Sequence, residues 1–118
     1  MRKIFLLSVL LISSNLFAQT ADYTCEVRQY RLDLQLAQGR STHLWVSDYH
    51  GVIFQAYAGS VEKKGSNSHY YFYPAHSDPA EVIFKTQDTI DFPKNLTGKI
   101  NTKLRGFLLR DSFNCIRR

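Results

Sequence analysis

Apolar side chains return at every second position in one short run after another between Tyr23 and Ile116, with glycine, asparagine, serine and aspartate in the gaps. Period two puts neighbouring side chains on opposite faces of a strand, and no window of helical length carries an apolar stripe at three- and four-residue spacing. The chain is therefore read as strands throughout. "RLDLQLAQ", from Arg31 to Gln38, is the cleanest run, with Leu32, Leu34 and Leu36 on one face. Tyr23, Cys25 and Val27 share the other parity. The phase slips between Val27 and Tyr30, which calls for a β-bulge or a short break between two strands.

The remaining runs follow the same pattern. Thr42–Asp48 offers Leu44 and Val46 as inward residues, with Trp45 in phase with His43. "DYHG" reads as a turn, with Gly51 free to take a positive backbone angle. Gly51–Ala58 follows, and Gly59–Val61 continues or bends it. "EKKGSNS" is a polar turn. His69–Tyr73 ends at Pro74, and "PAHSDPA" is a loop. Glu81–Lys85 is a short strand. "TQDTIDFPKN" is a polar connection with two apolar anchors, Ile90 and Phe92. Leu96–Leu109 puts Leu96, Ile100, Thr102 and Leu104 in phase, Gly106 marks a corner, and the run to Ile116 closes the chain. With no crossover helix, the expectation is an all-β domain. It is a small antiparallel β-barrel or a two-sheet β-sandwich of about seven to eight strands.

The first residues stand apart. Arg2 and Lys3 precede an apolar run from Ile4 to Ile12, and "LFAQTA" follows. These are the parts of a secretory signal peptide, with cleavage expected after Ala18. The run is shorter than the roughly 20 residues that span a bilayer, and the mature chain, Gln19–Arg118, holds no transmembrane segment. It is read as a single β-rich domain, periplasmic or secreted. Cys25 and Cys115 are its only cysteines and lie near its two ends. In an oxidising compartment they are expected to pair and so link the terminal strands. A neighbouring first and last strand favours the barrel slightly, because closure removes open edges.

Charge is distributed unevenly. Without Arg2 and Lys3 the formal +5 becomes +3, and from Lys94 onward seven basic residues face one acid, Asp111. Lys94, Lys99, Lys103, Arg105 and Arg110 are the candidate basic surface. Such a surface suits an acidic protein or an anionic envelope polymer. Export and the absence of a recognition motif argue against nucleic acid.

"SHYYFYPAHSDP", from Ser68, holds the densest chemistry. On a strand, Tyr70 and Phe72 share one face while His69, Tyr71 and Tyr73 share the other. An outward Tyr71/Tyr73 pair, with His76 and Asp78 in the following loop, is the candidate partner-binding surface. His69, His76 and Asp78 match no metal-ligand spacing, so no metal or other cofactor is expected. Ser77 between His76 and Asp78 has the residue types of a hydrolytic triad without its geometry. Glu26, Glu62 and Glu81 are not spaced as a glycosidase pair. An enzyme is not expected.

"YTCEV", at Tyr23–Val27 behind the export signal, together with the late Cys115, resembles the small periplasmic lysozyme inhibitors. The resemblance covers those few residues. It implies an exported, β-rich, disulfide-linked domain whose partner is an enzyme. No inhibitory loop matches, and no functional residue is carried across. The expectation is thus a non-enzymatic binding protein that recognises another macromolecule, with lysozyme-type inhibition as the specific version. The alternatives are a structural or envelope-associated protein that binds anionic polymer, and a small-ligand carrier.

Overall fold

The computed structural model describes residues 20–37, 39–86 and 92–118; the segment expected to be a signal peptide and the expected Ile90 anchor fall outside them. The strands among the described residues are β1 (Ala21–Val27), β2 (Tyr30–Leu36), β3 (His43–Asp48), β4 (Gly51–Lys64), β5 (Asn67–Phe72), β6 (Ala80–Lys85), β7 (Asn95–Leu104) and β8 (Phe107–Arg117). Each pairs antiparallel with its sequence neighbours, and β1 pairs with β8, which closes the sheet into an up-and-down barrel. The sandwich alternative is thereby excluded.

The phase slip after Val27 is a break between strands: Arg28 and Gln29 form the turn between β1 and β2. "EKKGSNS" is less of a turn than expected. Strand β4 runs on to Lys64, Gly65 turns with φ +64°, and β5 already begins at Asn67. β4 is long because two irregularities let it follow the curve of the wall. One falls where Val46 and Ser47 meet Phe54 and Val52; the other lies between Ala58 and Ser60. Such bulges add local twist, which a small barrel needs.

Inward positions fill the barrel. Tyr23, Leu32, Leu34, Val46, Phe72, Val82, Ile100 and Leu104 are almost wholly withdrawn from water. Burying side chains of this size contributes about 1.5–3 kcal/mol each before the entropy of ordering them is charged against it. Gly98 sits among them for a steric reason. A Cβ there would lie 2.8 Å from the Phe113 ring and 2.6 Å from the Ile83 carbonyl, so the ring covers the glycine. The polar groups inside find partners. The Tyr23 hydroxyl donates to the Pro93 carbonyl, the Thr42 hydroxyl bonds the backbone of Ala37, and the Thr102 hydroxyl donates to the Pro79 carbonyl. Among the described residues no buried side-chain polar atom lacks a partner.

The seam between first and last strands is closed covalently. Cys25 and Cys115 occupy opposite positions of the β1–β8 ladder and form a disulfide across a sequence separation of 90. Beyond the end of that ladder, Arg28 Nε reaches Asp111 Oδ2 at 2.7 Å and continues the closure by charge. A disulfide is the form cysteines take in an oxidising compartment.

Candidate partner-binding face

The sheet exposes its outward residues on a curved wall, and the wall formed by β3, β4 and β5 is the aromatic one. His43 and Trp45 point outward from β3, opposite Tyr57 and Gln55 of β4. The His43 ring stacks on Trp45 with centroids 3.7 Å apart and meets Tyr57 at 4.0 Å. Its Nε2 donates to Gln55 Oε1 at 2.9 Å. Sandwiched in this way, His43 is only 8% exposed although it faces away from the core. Burial pulls its pKa below the ordinary histidine value, against the smaller opposing effect of the Gln55 bond.

Tyr73 extends this face. It follows β5, and its ring occupies the space that a side chain on Gly59 would fill. Gly59 is the extra residue of the second irregularity in β4, two positions beyond Tyr57. Tyr57 and Tyr73 are 61% and 58% exposed, so both present most of a ring to solvent beside an ordered stack.

Tyr71 is outward as well, but it belongs to a polar network. Its hydroxyl accepts from Lys64 Nζ at 3.4 Å and bonds Glu81, whose Oε2 lies 3.1 Å from His69 Nδ1. Partial burial raises the Tyr71 pKa, and the carboxylate of Glu81 adds to that. Burial alone would raise Glu81; its bonds to His69 and Tyr71 outweigh this and hold it below the usual carboxylate range. The bond to Tyr71 raises Lys64, with Glu62 helping. The network orders the middle of the face and fixes the direction of the Tyr71 ring.

His76 and Asp78 are exposed in the loop between β5 and β6. Alternate connections of an up-and-down barrel lie at the same end, which here gathers the turns 28–29, 49–50 and 105–106 and the loop 73–79. Tyr73, His76 and Asp78 therefore belong to that end, whereas Tyr71 stands further along the wall. Of the basic candidates, Lys99 and Lys103 lie outward on β7 and Arg110 outward on β8, where it donates to Asn101 Oδ1. Arg105 is in the turn at the same end and bonds Asp48 at 2.9 Å. Lys94, preceding β7, is at the opposite end, so the five basic residues do not form one cluster. Among the described residues no three His, Cys, Asp or Glu side chains come together as a metal-ligand set. No helix among them is long and apolar enough to cross a membrane.

The sequence sets Tyr71 and Tyr73 on one parity; in the structure Tyr73 is exposed and Tyr71 is partly buried. Sequence parity did not assemble Tyr57 with His43 and Trp45. The "DYHG" turn pairs Asp48 with Gly51, and an unbroken ladder from there would set Trp45 opposite Phe54. The irregularity near Val46 shifts the register by one and brings Gln55 opposite Trp45 and Tyr57 opposite His43. A one-residue slip exchanges the faces of a strand, so the missing signal is the bulge itself. No protein-family profile matches the chain, and no curated protein or solved structure matches it either.

Proposed function

We propose that this chain is an exported, non-enzymatic binding domain that recognises another macromolecule through the outward face of β3, β4 and β5. The observation that carries the reading is the pair of solvent-facing rings, Tyr57 and Tyr73, set beside the ordered Trp45–His43 stack. Tyrosine and tryptophan supply large contact area with few rotatable bonds, and binding energy concentrates on such residues. The closed barrel holds them rigid before contact, which lowers the entropy lost on association. The interior is filled by its own large side chains, which favours recognition on the outer wall over carriage of a small ligand in the lumen.

Inhibition of a lysozyme-type enzyme is the specific version of this reading. The test is capture on the immobilised mature domain, disulfide formed, from envelope extract and from a panel of lysozymes at low and high salt. One protein held at high salt by the wild type, and released by Tyr57→Ala with Tyr73→Ala, is the expected result. Capture that the double variant leaves unchanged, or that vanishes at high salt, would overturn the assignment to this face.

A further inference from the structure

The outward positions of β7 and β8 form a second face with different chemistry. They carry Lys99, Lys103 and Arg110 and no carboxylate; the other outward residues of these two strands are neutral. Asp111 has the inward parity and is taken by Arg28. At the turn this face ends in Leu108, 56% exposed, and the adjoining Phe107, which pairs with Leu104 on the inward parity, is 75% exposed at the hairpin tip.

The tip is held in place from several sides. Arg105 and Gly106 have φ of +50° and +86°, as both central residues of a type I′ turn do. The guanidinium of Arg105 is anchored on Asp48 of β3, four strands away around the wall. Leu104 and Leu109 occupy the inner side of the hairpin and are buried. Leu108 is directed outward beside Lys103, while Phe107, opposite Leu104 on the other parity, stands in water at the end of the hairpin. Lys103 stands directly across the ladder from Leu108, and Arg110 is about 7 Å behind it.

We propose that this hairpin docks the protein on an anionic phospholipid bilayer. Phe107 and Leu108 enter the boundary between headgroups and acyl chains, while Lys103 and Arg110, with Lys99 behind them, lie against the headgroup phosphates. Charge complementarity brings the face to the surface, since membranes rich in anionic lipid attract clustered Lys and Arg. The apolar tip selects a bilayer over a soluble polyanion. A polymer pairs with the cations and leaves Phe107 in water, whereas the interfacial zone accepts both. This surface lies on different strands from the aromatic face and does not depend on it.

The experiment is sedimentation of the mature, disulfide-bonded chain with vesicles of phosphatidylcholine alone or of phosphatidylcholine mixed with phosphatidylglycerol. The expected result is binding to the mixed vesicles only, weakened by salt. F107S with L108S should reduce it by about tenfold or more, and K103E with R110E by a similar factor. Trp45 is the only tryptophan, so W45F with F107W places the sole reporter at the tip. Its emission should move to the blue on the mixed vesicles. Y57A with Y73A should sediment like the wild type. No sedimentation overturns the proposal. So does wild-type binding by F107S with L108S, which is the outcome for a polyanion site, or an unmoved emission from F107W. Loss of binding in Y57A with Y73A overturns it too, by assigning the contact to the aromatic face.

Discussion

The ring of Tyr73 rests on Gly59, in the volume a β-carbon would need. The glycine is a bulge residue of β4, so a backbone irregularity positions an exposed aromatic ring on the neighbouring strand. Gly59→Ala should therefore displace Tyr73 while leaving the barrel folded. If Tyr73 is a contact residue, the variant should bind its partner about tenfold more weakly, close to the effect of Tyr73→Ala, with a modest stability change. Titration calorimetry against the captured partner, beside a urea melt of each variant, measures both quantities.

Exposure separates the face from the core energetically. Phe72 is fully buried in the barrel, and Phe72→Ala should cost about 3–5 kcal/mol of stability. Tyr57→Ala, at a ring mostly in solvent, should stay within about 1 kcal/mol. Urea denaturation followed by far-ultraviolet circular dichroism distinguishes the two.

The disulfide closes the barrel between β1 and β8, the one pair of neighbouring strands that are not consecutive in sequence. Replacing Cys25 and Cys115 together by alanine should lower stability by about 2–5 kcal/mol. The same loss should follow reduction of the wild-type protein. A reduced protein as stable as the oxidised one would assign the closure to the β1–β8 ladder and to Arg28–Asp111 instead.

Two carboxylates make stability fall in acid. Burial works against ionisation of Asp48, but the His50 amide and the Arg105 guanidinium outweigh it and lower its pKa. Glu81 is lowered by His69 and Tyr71 against the same opposition. A carboxyl group whose folded pKa is below its unfolded one contributes stability that is complete above the unfolded value. The contribution is lost as pH falls through the folded value. The urea midpoint should therefore drop below the ordinary carboxylate range. Asp48→Asn should lower the midpoint at neutral pH and flatten this part of the profile.

His43 contributes in a higher window with the same sign. Its folded pKa is below that of an unfolded histidine, so the unfolded chain takes up its proton first. The stability it contributes is complete above the ordinary histidine value and declines as pH falls from there toward the folded value. His43→Gln should remove its share of the slope below the ordinary histidine value without removing the carboxylate slope. A proton-detected titration of the His43 ring tests the direction of the shift directly.

The amino-acid sequence by itself determined the fold class, most of the strands and the inward set. Alternation at period two is a local signal, and the energy of hiding Leu32, Leu34, Val82 or Ile100 from water enforces it whichever strand lies beside them. The same parity separated Tyr71 and Tyr73 from Tyr70 and Phe72 without deciding which pair faces the core, and the two cysteines foretold the link between chain ends. Tertiary structure alone decided the rest. Barrel and sandwich hide the same residues and differ only in whether β1 finds β8, a pairing across almost the whole chain. The Trp45–His43–Tyr57 stack depends on a single-residue slip near Val46, and the Tyr73 ring on the bulge at Gly59; both are register shifts between neighbouring strands of the closed wall. Which cations share a surface was equally non-local. Lys94 and Lys103 lie on one stretch of sequence yet at opposite ends of the barrel, because a strand carries its charges the full length of the wall.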